Sequence, residues 1–396
     1  MKLKYNILLM YVIGALMWGR FFVPVLALFY VASQVPLEQF AIIMGVFSLS
    51  ILVFEIPTGA LADLLGKKKT LLLSRFMYIL EIFLIAFFNG FWIFLIAKII
   101  SGIGVSLTSG TGSAMLFDTL KKQKREGQYK KISGNLGVIV NISMATVFII
   151  GAYLFSISPK LPAFVSLPFI ILGFILTFFL EEPYKSKKNL TFKHHFIHMK
   201  KAISFFKKSD VVKYIAFLTF FTSAAVSISL SMSSAYFEQI LIPISLIGLL
   251  AFISSMITAF TSKKADKWES LLKEKKSIWI IQIVIILGLF LISLTIPYYG
   301  YLFYLLIPFI SGFEGVILGN YAHNHIPTSH RATILSVMNM FGNIGIFLLF
   351  PLSGYVMKNY GIGTAFIILG LITLFGFIAL YFYSKDKDIK FTKNPT

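Results

Sequence analysis

Six ionisable side chains fall inside otherwise apolar runs of this chain, and they are the residues with chemistry to offer. Arg20, Arg75 and Lys98 supply three cations; Glu55, Glu81 and Glu314 supply three carboxyls. A charge inside hydrocarbon is costly, so it is retained for a pairing or a function. The equal numbers suggest ion pairs. Burial also favours the neutral form of a carboxyl, and one that alternates between a paired and a lone state can carry a proton. Glu314, in Gly312-Phe-Glu314-Gly315, reads either as a proton or substrate site or as a packing tie between segments. Arg20, in Trp18-Gly-Arg20-Phe-Phe, is a permanent cation that must meet a carboxylate or an anionic ligand, and the carboxylate is favoured. Glu55 precedes Pro57 and is expected to pair with Arg75, while remaining a candidate for coupling; Glu81 is expected to serve packing.

A second group of charges lies between two apolar runs, in Gly59-Ala-Leu-Ala-Asp63-Leu-Leu-Gly66-Lys67-Lys-Lys69. Glycines there allow a tight turn and close helix approach, the carboxylate can cap a helix N-terminus or hold a cation, and lysines mark a cytoplasmic face. Asp118, at the end of a later apolar run, falls on the same side. Other chemistries find little support. With no cysteine, disulfides, thiolate catalysis and Cys-based metal sites are excluded. His194 and His198 stand at i, i+4, but no acid or thiol accompanies them, so no metal and no cofactor is expected. Gly102-x-Gly104 and Gly110-Thr-Gly112 resemble nucleotide loops only faintly, since no strand precedes them.

The elements that must position these residues follow from composition. The 396 residues are 57% hydrophobic with a mean hydropathy of +0.84, too apolar for a soluble surface, so the fold class is an all-α integral membrane protein. Twelve apolar stretches can each span a bilayer: about 6–32, 38–62, 70–89, 91–118, 132–156, 162–181, 211–236, 242–262, 277–296, 299–321, 332–357 and 361–383. Nearly all Lys and Arg residues then fall on the side of the N-terminus, leaving only Lys160 and Lys358 opposite, so both termini are expected in the cytoplasm of a cell whose inner membrane holds the chain. The net charge of +20 thereby serves topology and anionic lipid headgroups on the cytoplasmic side, not nucleic acid. The halves also repeat: Ile100-Ser-Gly102 matches Ile310-Ser-Gly312, Ser133 and Gly151 match Ser336 and Gly354, and Ala62-Asp63 matches Ala265-Asp266. The expected division is an N-terminal six-helix bundle over 1–181, a basic linker over 182–210 with Lys200, Lys201, Lys207 and Lys208 on an amphipathic wet face, and a C-terminal six-helix bundle over 211–396.

The run from Gly59 to Lys68 resembles the loop 2–3 signature of the major facilitator superfamily, G-x-L-a-D-r-x-G-r-k, with Leu64 in place of the usual Arg. Lys98-x-x-x-Gly102-x-Gly104 is similar to the family's helix 4 signature, with Lys for Arg; the Gly-Pro pair of many drug antiporters is absent from the fifth segment. The resemblance covers essentially the whole chain. It implies two pseudo-symmetric six-helix bundles around a central cavity, lined by segments 1, 4, 7 and 10, and transport by alternating access. It implies gating roles for Gly59, Asp63, Gly66, Lys67 and Asp118, with Asp266 a weakened copy, and proton-coupling or substrate-binding roles for Arg20, Lys98 and Glu314; Glu55 joins that candidate set as a charge inside the second segment.

The reading favoured on this basis is a monomeric secondary transporter, not an enzyme, that exports small amphipathic or drug-like molecules and is driven by the proton gradient. Phe21, Phe22, Tyr30, Tyr236, Phe237, Phe313 and Tyr321 are expected to wall an apolar cavity. The alternative is a proton symporter importing an anionic nutrient held by Arg20 and Lys98. An integral-membrane enzyme would need a catalytic cluster at the surface, and the His323–His330 loop lacks an acid; a non-transporting sensor is the other remote alternative.

Overall fold

The computed structural model describes residues 3–184, 206, 209–325, 331–387 and 389. His194, His195, His198, His330 and the four linker lysines named above lie outside the described residues. Among the described residues the chain is helical throughout, with no strand. Long apolar runs in hydrocarbon must satisfy every backbone group internally, which an α-helix does. In chain order the helices are α1 (Asn6–Met17), α2 (Leu26–Ala32), α3 (Leu37–Leu65), α4 (Lys67–Phe87), α5 (Phe91–Thr108), α6 (Thr111–Lys122), α7 (Tyr129–Ile157), α8 (Leu161–Phe178), α9 (Asp210–Ser231), α10 (Ser233–Gln239), α11 (Ile244–Ile292), α12 (Gly300–Tyr304), α13 (Leu306–His325) and α14 (Arg331–Asp386). They make twelve membrane segments. Segment 1 is α1 with α2, segment 4 is α5 with α6, segment 7 is α9 with α10, and segment 10 is α12 with α13. α11 holds segments 8 and 9, turned at Lys273 (φ 64°), and α14 holds segments 11 and 12, turned at Gly361 (φ 86°).

The expected continuous helix over 6–32 is instead broken at Trp18–Phe22, which puts Arg20 on non-helical backbone. The cause is local. Pro24 has no N–H to give the Arg20 carbonyl, which accepts from Val23 N at 3.1 Å in a tighter 3-10 turn. Phe21 N, freed by the break, donates to Ser166 Oγ at 2.9 Å, and Ser166 Oγ donates in turn to the Pro162 carbonyl at 2.6 Å. On α7, Gly151 leaves room for the break, since a Cβ there would collide with the Phe21 carbonyl. Gly151→Ala is therefore expected to lower stability by about 1–3 kcal/mol by forcing the break away from α7. Thermal unfolding in detergent checks this, and an unchanged midpoint would count against it.

Chain contacts group into two compact units. The first comprises Met1–Val35, Leu49–Phe196 and Ile244–Phe252; the second comprises Pro36–Ser48, Ile197–Pro243 and Ile253–Thr396. Within the first, Phe29, Tyr30 and Phe94 pack edge to face, and Lys160 lies over the Phe29 and Phe94 rings while donating to the Ile85 and Phe88 carbonyls that end α4. Gly248, at the start of α11, packs in this unit against the Phe148 backbone. Within the second, Tyr236, Phe237, Tyr301 and Tyr304 form an aromatic knot. The first third of α3 joins that unit through packing on α14: Phe40 on Phe350, Gly45 on Pro351, and a Glu38–Lys358 ion pair at 2.7 Å.

Candidate proton and substrate sites

The first site is built on α4. Ser74, Tyr78 and Glu81 stand at i, i+4 and i+7, so they share one face. Glu81 is fully buried. Lys98, from α5, donates to its Oε1 at 2.8 Å, and Arg20, from the segment 1 break, brings Nη2 to 3.2 Å from Oε2, an ion pair outside hydrogen-bond geometry. The Arg20 guanidinium also lies over the Tyr78 ring, 4.2 Å from its centre. Tyr78 reaches that position because Gly104 has no side chain; a Cβ there would sit 2.9 Å from the ring. The glycine of the helix 4 signature thus makes space for the aromatic that carries Arg20. Two cations share one carboxylate here.

Arg75 does not pair with Glu55. Its Nη1 donates to Ser74 Oγ at 3.4 Å and Thr108 Oγ1 at 3.2 Å, and Nε has no partner among the described residues. Glu55 is partly buried on α3, where Thr58, just past Pro57, donates to the Phe54 and Glu55 carbonyls at 2.7 and 3.2 Å. Glu81, assigned to packing from the sequence, is the group that joins Arg20 to Lys98. Its signal was its place nearly four turns into a charged helix, but only the fold could say which cations face it.

The second site is Glu314 on α13. It is 8% exposed, and among the described residues no cation pairs with it. The Thr222 hydroxyl of α9 faces the carboxyl without completing a hydrogen bond. A carboxyl buried in a membrane segment without a counter-charge marks a functional site by default.

At the lysine-rich end of the first unit, Lys67 pairs with Asp118 of α6. Asp63 lies in the last turn of α3, which stays helical through the signature to Leu65. Gly66 (φ 85°) turns the chain into α4, and Glu182 caps that helix, accepting from Lys67 N at 3.1 Å and Lys68 N at 2.7 Å. A Cβ on Gly66 would come within 3.2 Å of Glu182 Oε2. Gly59 meets no such neighbour. Asn6 fixes the adjoining chain, donating to the Glu181 carbonyl at 2.8 Å and accepting from Glu181 N at 3.0 Å. Sequence reasoning missed Glu182; the acid pair Glu181-Glu182 ahead of Pro183, beside so many lysines, was the available sign. In the second unit Asn320 donates to Asp266 at 3.2 Å and to Glu269 at 3.1 Å.

The seven aromatics expected to wall a cavity are all buried, at most 4% exposed, and pack inside their units. Aromatic abundance here serves helix packing within each unit.

The family model described as Major Facilitator Superfamily matches residues 7–349 and 316–395. An uncharacterised MFS-type transporter of Bacillus subtilis, YxaM, is 24% identical over 388 residues, covering 93% of this chain and 92% of its own. The class B tetracycline resistance protein of Escherichia coli is 26% identical over 168 residues, which is 42% of this chain and 41% of that protein. Among solved structures, the nucleoside transporter NupG superposes with a TM-score of 0.81 at 14% identity, covering 97% of this chain and 100% of that one. The human organic anion transporter MFSD10 superposes with a TM-score of 0.62 at 16% identity, over 96% and 100% of the two chains.

Proposed function

We propose, from the premise that this chain belongs to the Major Facilitator Superfamily and is a multi-pass membrane transporter of small molecules, that it is a proton-coupled exporter of small amphipathic compounds. The observation that carries the coupling is Glu314, a buried carboxyl with no cation against it among the described residues. The partial similarity to a tetracycline resistance protein favours export. In this reading the bundles 1–181 and 211–396 rock about the 182–210 linker in the inner membrane, with cytoplasmic termini, as a monomer whose basic face meets anionic headgroups; the proton gradient alone drives it, without cofactor or metal. Proteoliposomes with an imposed pH gradient test it. Amphipathic compounds should move against the proton flow, and a pH-sensitive dye inside should report counter-moving protons. Substrate movement in the same direction as the protons would replace export by import.

The Lys67–Asp118 pair and the Glu182 cap support a gating role for the lysine-rich end. Asp63→Asn is expected to cut flux strongly while membrane expression and ligand binding persist. Unchanged flux in Asp63→Asn vesicles would remove Asp63 from the mechanism.

A further inference from the structure

Around Glu81 the first unit gathers more positive charge than that one carboxylate answers. Arg20 and Lys98 both lean on Glu81, and Arg75 lies six residues toward the lysine-rich end of α4, about 9 Å along the axis from Glu81. Arg75 is half-buried, and among the described residues the charged and titratable side chains acting on it are Arg20 and the Tyr78 phenol. Two hydroxyls, Ser74 and Thr108, pin one of its amino groups; among the described residues no carboxylate pairs with it. Yet part of the residue stays open. A guanidinium with five donors, held by two neutral acceptors and repelled by a neighbouring guanidinium, lacks an anion.

The backbone beside it has the matching character. Thr108 ends α5, and segment 4 breaks at Ser109 and Gly110 (φ 73°) before α6 begins at Thr111. α6 is 12 residues long and has no side chain capping its N-terminus, so its first amides are available as donors. Ser109 and Gly110 are exposed, and a Cβ built on Gly110 or Gly112 would meet no atom within 4 Å. Open space, uncapped amides and an unanswered guanidinium therefore coincide at one helix break.

We propose that Arg75 and the start of α6 at Ser109–Gly112 bind the anionic head of the transported molecule, a carboxylate, sulfonate or phosphate. This rests on the transporter reading above and names its substrate class. Arg20 and Lys98, which the import alternative assigned to the anion, are engaged by Glu81 instead. Gly110 and Gly112 are needed because side chains there would fill the place of the head group.

The test uses the purified full chain in phosphatidylcholine nanodiscs, with benzoate, benzenesulfonate and phenyl phosphate as probes and benzamide as the neutral control. At least one of the three anions should raise the melting temperature in a saturable way, and benzamide should not. Arg75→Gln should weaken half-saturation about ten- to a hundredfold, the loss of a charge-assisted contact. Arg75→Lys should fold and keep a weaker shift, which guards against a folding failure of the first variant. Gly112→Val should abolish the shift, and Lys213→Gln, at the surface, should leave it intact. A flat wild-type response to all three anions overturns the proposal, as does a shift that survives in Arg75→Gln. A shift produced only by exchanging the lipid for phosphatidylglycerol would assign the subsite to a headgroup and also overturn it. Because these readouts need no gradient, they stay separate from the proton-driven flux on which the transport reading stands.

Discussion

Glu314→Gln is expected to abolish pH-gradient-driven accumulation or extrusion while leaving substrate exchange at zero gradient intact. The amide keeps the shape and the polarity of the side chain and removes only its titration. Glu314 is buried on α13 and opposite an uncharged hydroxyl, so among the described residues no charge would be stranded by the change, and folding should be little affected. Its counterpart in the repeat, Gly104, has no side chain at all, so the first unit offers no substitute acid at that position. The measurement compares counterflow, which needs binding and reorientation, with accumulation under an imposed gradient, using a compound from the flux screen. Full gradient-driven accumulation in Glu314→Gln would show that the proton travels elsewhere. Loss of counterflow as well would make Glu314 a substrate-binding residue and not a coupling one.

Glu81→Gln should have the largest effect on stability. It leaves Arg20 and Lys98 facing an amide in a fully buried place, and breaking a buried pair in this way costs roughly 3–5 kcal/mol. Arg20→Ala should cost less, because the Lys98–Glu81 hydrogen bond at 2.8 Å survives and Arg20 is itself 16% exposed. What Arg20→Ala forfeits is one ion pair and its contact with the Tyr78 face, about 0.5–2 kcal/mol for the latter. Adding Lys98→Met to Glu81→Gln should recover part of the loss, since one stranded cation is then removed. Scanning fluorimetry on the four proteins gives the order: wild type, then Arg20→Ala, then the double variant, then Glu81→Gln. Equal losses for Arg20→Ala and Glu81→Gln, or additive losses in the double variant, would mean the three side chains do not act as one cluster.

Much of this protein was legible before any coordinates. Mean hydropathy and run length dictate membrane helices, because backbone in hydrocarbon has no other economical form. The count of apolar runs gives twelve segments, and the Gly59–Lys69 run points to the family. The charged residues worth watching were also visible, since a charge inside an apolar run is noticeable in one dimension. Their partners were not. Arg20, Glu81 and Lys98 come from three different segments, and which faces of three helices meet depends on rotations that no spacing records. The Pro24 break turns Arg20 out of helical register, so even its direction was hidden in a pattern that reads as one continuous helix. Arg75 shows the same limit from the other side: Glu55 looked like its partner at matching depth, but α4 presents it to Ser74 and Thr108. Likewise Glu182 caps α4 from more than a hundred residues away, and the aromatics that look like a cavity wall are packed inside the units. Local composition determines what each segment is, because hydrophobicity and backbone satisfaction are properties of the segment alone. Pairing, capping and exposure are decided only when helices choose their faces, because those are properties of two surfaces in contact.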